Sequence, residues 1–60
     1  MWMWLTQLVP GYADVRNYVN LDNVTRVTKK ADGGAGVSFV DGRSIDVRES
    51  AEGIAEKIPK

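Results

Sequence analysis

A chain of 60 residues without a single cysteine has to hold itself together by packing alone. At this length a folded monomer buries only about 60% of the surface its unfolded chain exposes. The usual supplements are disulfides and structural zinc, and the sequence contains neither Cys nor His to make them. Burial against a second chain is the supplement that remains, so one small domain over residues 1–60 that forms a homo-oligomer is the first expectation.

The same two absences remove much catalytic chemistry. There is no Cys or His nucleophile, no imidazole base and no triad. The carboxylates Asp41, Asp46 and Glu49 have no calcium-loop spacing and read as turn or surface groups. Gly33-Gly34-Ala35-Gly36 superficially resembles a phosphate loop. It lacks the Gly-Lys-Ser/Thr ending and no helix follows it, so it reads as a flexible hairpin connection. A non-enzymatic protein without cofactor or metal is expected.

Eight Lys and Arg balance eight Asp and Glu, which argues against a broad nucleic-acid footprint but permits a local basic patch. A chain free of cysteine suits a reducing cytoplasm. The apolar start, Met1-Trp2-Met3-Trp4-Leu5, has no basic flank and runs at once into Thr6 and Gln7, unlike a signal peptide. No apolar run approaches the ~20 residues of a membrane-spanning helix.

Residue patterning predicts a mostly β domain: a small antiparallel β-meander of four to five strands packed by a short C-terminal α-helix. Strands are expected over about 2–9, 15–20, 25–30, 37–40 and 44–48, and the helix over about 50–58. Pro10-Gly11 marks the first turn. Val15, Asn17 and Val19 fall on one face of the second strand; Arg16, Tyr18 and Asn20 fall on the other. Asn20 to Asn23 is a local turn that aims Leu21 and Val24 the same way.

The last hairpin permits a choice of register. A two-residue Asp41-Gly42 loop would set Val37 against Asp46 and Phe39 against Ser44. A three-residue loop, Val40-Asp41-Gly42 with Gly42 left-handed, pairs Val37 with Ile45 and puts Val37, Phe39, Ile45 and Val47 on one face. The second arrangement is predicted. Ser50 then offers an N-cap, Ala51, Ile54, Ala55 and Ile58 follow helical spacing, and Pro59 marks the end. Gly53 inside the helix makes it dependent on packing.

Two surfaces stand out. In the first strand Trp2 and Trp4 alternate with Met3 and Leu5, so both faces start apolar. Either the tryptophans complete the core, or Trp2, Met3, Trp4 and Leu5 form a contact with another protein, self or other. Alternatively, Arg16, Tyr18, Arg26, Lys29 and Lys30 supply a basic and aromatic sheet face for nucleic acid. Acidic Asp14, Asp41 and Asp46 are interleaved with them, which favours a mixed solvated surface over a nucleic-acid face.

Several segments look familiar when taken together: Tyr18-Val19-Asn20-Leu21-Asp22-Asn23-Val24, Val37-Ser38-Phe39-Val40-Asp41-Gly42, Val47-Arg48-Glu49-Ser50, then Ile54 and Ile58. This series resembles the small FlbD/SwrD-type proteins associated with bacterial flagella, across residues 5–58. The resemblance implies a strand, an Asn-containing turn, a hairpin and a step into a short helix. The Trp-rich start, the segment Pro10 to Asn17 and Gly53 depart from that pattern. Many small bacterial and phage proteins of unknown function share it. The opening strands also resemble the first half of a LytTR-type domain, without the second half that carries that family's DNA contacts.

Overall fold

The computed structural model describes residues 1–58 as five antiparallel strands in one sheet and a single C-terminal helix. The strands are β1 (Trp2–Gln7), β2 (Val15–Asn20), β3 (Val24–Lys29), β4 (Ala35–Phe39) and β5 (Ser44–Val47), and the helix is α1 (Ala51–Lys57). Their order across the sheet is β2-β1-β5-β4-β3. The chain meanders through β3, β4 and β5, and β5 then docks on β1. The consecutive strands β2 and β3 therefore become the two opposite edges.

Each connection follows from its turn residues. Val9-Pro10-Gly11-Tyr12 closes with a Tyr12 N–H bond to the Val9 carbonyl at 3.1 Å, and Gly11 takes the positive φ of +82° that a type II turn needs. A short 3-10 turn, Leu21–Asn23, carries the chain from one edge to the other. Asn20 caps it by accepting from the Asp22 N–H, and Leu21 drops into the core with Val24 packed beside it.

The β4–β5 hairpin has the predicted bulged register: Val37 pairs with Ile45, and Gly42 sits at φ +89°. The β3–β4 connection repeats that turn and corrects the expectation of a flexible glycine loop. In each turn an Asp at the second loop position accepts the N–H two residues on: Asp32 from Gly34 and Asp41 from Arg43, both at 2.9 Å. Strand β4 starts at Ala35 rather than 37, because Ala31-Asp32-Gly33 is a complete three-residue turn. At the other end, β1 stops at Gln7, before Leu8 and Val9, where the chain breaks toward its proline turn.

The core comprises Leu5, Leu21, Ala35, Val37, Val47 and Ile54, all essentially inaccessible. Met3, Val19, Val24, Val27, Phe39, Ile45, Ala51 and Ile58 pack around them. The strand residues among them line the sheet face that meets Ile54, Ala51 and Ile58 from the helix segment. Ser50 caps the helix by accepting the Gly53 N–H at 3.1 Å, with Glu52 in the first turn and Lys57 in the last. Ile54 is the helix's buried anchor, while Ala55, expected on the buried face, is exposed. Pro59 lies outside the described residues. Among the described residues no helix is long and apolar enough to cross a membrane.

Candidate interaction surface

The pleat decides where the aromatic residues go. In β1, Met3, Leu5 and Gln7 alternate with Trp2, Trp4 and Thr6, so burying Leu5 forces both tryptophans onto the far face of the sheet. Trp2 is 55% exposed and Trp4 53%, against 0% for Leu5. This removes the reading in which the tryptophans complete the core. It also corrects the four-residue contact: Leu5 is core and Met3 packs against the core, which leaves Trp2 and Trp4 as the outward pair.

Strand β2 completes the surface. Its register sets Trp4 opposite Tyr18 and Thr6 opposite Arg16, so Arg16 and Tyr18 share the outer face with the tryptophans. The Tyr18 ring stacks on Trp2 with centroids 5.3 Å apart and tilts against Trp4 at 4.9 Å. The Arg16 guanidinium lies 5.5 Å from the centre of the Trp4 ring. Each ring covers part of its neighbour, yet Tyr18 remains 56% exposed. The result is a continuous strip of three rings and one cation on the face opposite α1.

A carboxylate steadies the end of the strip. Glu49, just after β5, accepts the Thr6 backbone N–H at 2.8 Å and the Thr6 hydroxyl at 2.9 Å. Burial pushes the Glu49 carboxyl up, but the hydrogen bonds, led by the Thr6 N–H and helped by the charge of Arg16, outweigh it and hold the group below its usual value. The one paired β1–β5 position is Gln7 with Val47, flanked by bonds from Arg48 N–H to Thr6 and from Leu8 N–H to Asp46. Glu49 takes the next donor where that ladder ends.

The basic set is not brought together. Arg16 and Tyr18 lie on β2, whereas Arg26 and Lys29 lie on β3 and Lys30 just beyond it, at the opposite edge. That is four strand spacings of about 4.8 Å each. Lys29 pairs with Glu52 of the helix at 3.6 Å, and Lys30 with Asp46 at 3.0 Å. Arg43 pairs with Asp41 and Arg48 with Asp14. Of that set, Arg16 and Tyr18 alone lie at the aromatic strip, and Arg16 is its one cation.

Among the described residues no three acidic, His or Cys side chains cluster to hold a metal ion, and no buried side-chain polar atom lacks a hydrogen-bond partner. The strip offers stacking, apolar contact and one guanidinium. Comparison with known proteins finds no matching family model, curated protein or solved structure.

Proposed function

We propose that this chain is a non-enzymatic protein–protein interaction module that self-associates through its β1–β2 surface. The observation that carries the reading is the strip itself: Trp2, Trp4 and Tyr18 are each more than half exposed and contiguous on one sheet face. Tryptophan and tyrosine dominate binding energy where proteins meet, and exposed apolar patches mark such places. A domain this small also gains most from burial against a partner. A reducing cytoplasm is the setting that suits a chain built without cysteine. The FlbD/SwrD-type pattern fits a small bacterial or phage protein of this kind.

The test is solution mass. The Trp2→Ala/Trp4→Ala double variant and Tyr18→Ala are expected to keep the far-ultraviolet spectrum of the parent and to lose its oligomeric mass. An unchanged mass in the folded variants sinks the reading. If the parent is itself a monomer, self-association is excluded and the strip falls to a different protein.

One observation favours a second reading. Stacked rings beside an arginine on an open sheet face also suit single-stranded nucleic acid. With a lone arginine at the strip, this reading predicts binding to a short oligonucleotide with a shallow salt dependence, lost in Trp4→Ala.

A further inference from the structure

The two edges of the sheet are not equivalent. An open edge strand pairs with other chains unless something blunts it. Strand β3 is blunted: its register shifts in a bulge between Val24 and Arg26, the Thr25 hydroxyl bonds back to the Ser38 carbonyl, and Lys29 is tied to the helix. Strand β2 has none of these devices. Its six residues, Val-Arg-Asn-Tyr-Val-Asn, pair without interruption with β1 and include no proline, lysine or bulge.

The direction of its free backbone groups follows from alternation. On β1, the Thr6 backbone faces β5 and Glu49, so Met3, Leu5 and Gln7 face β2. Their partners Val19, Asn17 and Val15 face back toward β1. Arg16 and Tyr18 therefore aim their N–H and C=O groups away from the sheet, and among the described residues nothing accepts or donates there.

We propose that a second copy of this chain pairs along that edge, β2 against β2, antiparallel about a two-fold axis at Asn17. This rests on the self-association reading and specifies its geometry. Three registers are available to an antiparallel pair centred on the strand, and side-chain chemistry selects one. Centring on Arg16 sets like charges opposite each other. Centring on Tyr18 sets Asn17 against Val19 and Arg16 against Asn20.

Centring on Asn17 sets Arg16 against Tyr18 on the outer face, Val15 against Val19 on the inner face, and amide against amide on the axis. Val15, 42% exposed in the single chain, is then covered. The two Tyr18 rings come within diagonal reach. The two aromatic strips then join into one band of six rings, Trp2, Trp4 and Tyr18 from each copy, across a ten-stranded sheet.

Cysteine cross-linking reads this register directly, because the parent has no cysteine to interfere. Asn17 meets its own copy as a non-hydrogen-bonded pair, at a Cα separation of about 4.5 Å that a disulfide spans. Asn17→Cys is expected to form a disulfide dimer on mild oxidation. A mixture of Val15→Cys with Val19→Cys should cross-link, and neither of those alone. In the backbone ladder Arg16→Pro removes only an outward N–H, which an edge strand tolerates, and it is expected to stay folded with the mass of one chain. Because it also takes the guanidinium off Trp4, Arg16→Ala, which loses the same guanidinium but keeps the N–H, is the control and should keep the parent's mass.

Cross-linking of Val15→Cys with Asn17→Cys, or of Asn17→Cys with Val19→Cys, in place of the predicted pairs overturns the register. An oligomeric parent in which Asn17→Cys fails to cross-link, or Arg16→Pro keeps the parent's mass, overturns the edge pairing and leaves self-association standing. A monomeric parent overturns both.

Discussion

The Glu49 carboxylate takes two hydrogen bonds from a single residue, the backbone N–H and the hydroxyl of Thr6. It fastens the segment leading into the helix onto the strand that presents both tryptophans. The folded state holds this carboxyl below its usual value, so the unfolded chain binds its proton more readily. The contribution is therefore present above the ordinary glutamate value of about 4.3 and is lost as pH falls through the lower folded value. Thermal melts of the parent should decline over that acidic range, and those of Glu49→Gln should decline less. At neutral pH Glu49→Gln is expected to cost about 1.5–3 kcal/mol, the scale of a hydrogen bond to a charged group. Parallel pH profiles for the two proteins would contradict the account.

Glycines that look alike in sequence differ sharply in position. A Cβ on Gly34 would sit 2.4 Å from the Val47 carbonyl oxygen, a backbone atom of β5 that moves only if the sheet moves. Gly34→Ala should cost more than about 2 kcal/mol by denaturant unfolding. Gly33 has open space around it and is held only by its φ of +92°, so Gly33→Ala should cost about 1 kcal/mol. Equal losses would mean that the β3–β4 turn is not packed on β5 as described.

The helix gives a paired comparison. Ser50→Ala removes the cap on the Gly53 N–H and is expected to cost about 1 kcal/mol. Gly53→Ala gains about 1 kcal/mol of helix propensity, but its Cβ would lie 3.0 Å from the Ser50 hydroxyl oxygen. The cap then has to shift, and the net change should be within about 0.5 kcal/mol of zero. Made in the Ser50→Ala background, where the hydroxyl is gone, the same substitution should show the full gain.

The two faces of β1 predict opposite responses to truncation. Leu5→Ala empties a fully buried site and should cost about 2–5 kcal/mol, enough to unfold a domain of this size. Trp4→Ala removes a half-exposed ring, together with its contacts to Tyr18 and Arg16, and should cost about 1 kcal/mol in the single chain. Urea denaturation at low protein concentration separates the two. A larger loss from Trp4→Ala than from Leu5→Ala would place the core on the other face.

Local features of this fold were readable where one residue type dictates a turn. Pro10-Gly11, Asn20, Asp41-Gly42 and Ser50 each do in the structure what their chemistry requires. The Asp32-Gly33 turn carried the same signal as Asp41-Gly42, and three neighbouring glycines masked it as flexibility. The docking of β5 on β1 had no local signal, because it joins segments far apart in the chain that meet only through the shared core of Leu5, Val47 and Ile54. The site was half legible. Alternation in β1 separated two apolar faces but did not say which was buried, and only the strand order showed that Arg16 and Tyr18 join the tryptophans while Lys29 and Lys30 do not.

Absolute molar mass by light scattering, at low and at high salt, tests the central claim most directly. The account predicts at least twice the 6.6 kDa of a single chain under both conditions, because rings and backbone pairing rather than surface charge hold the copies together. A mass of one chain at both salt concentrations would contradict it.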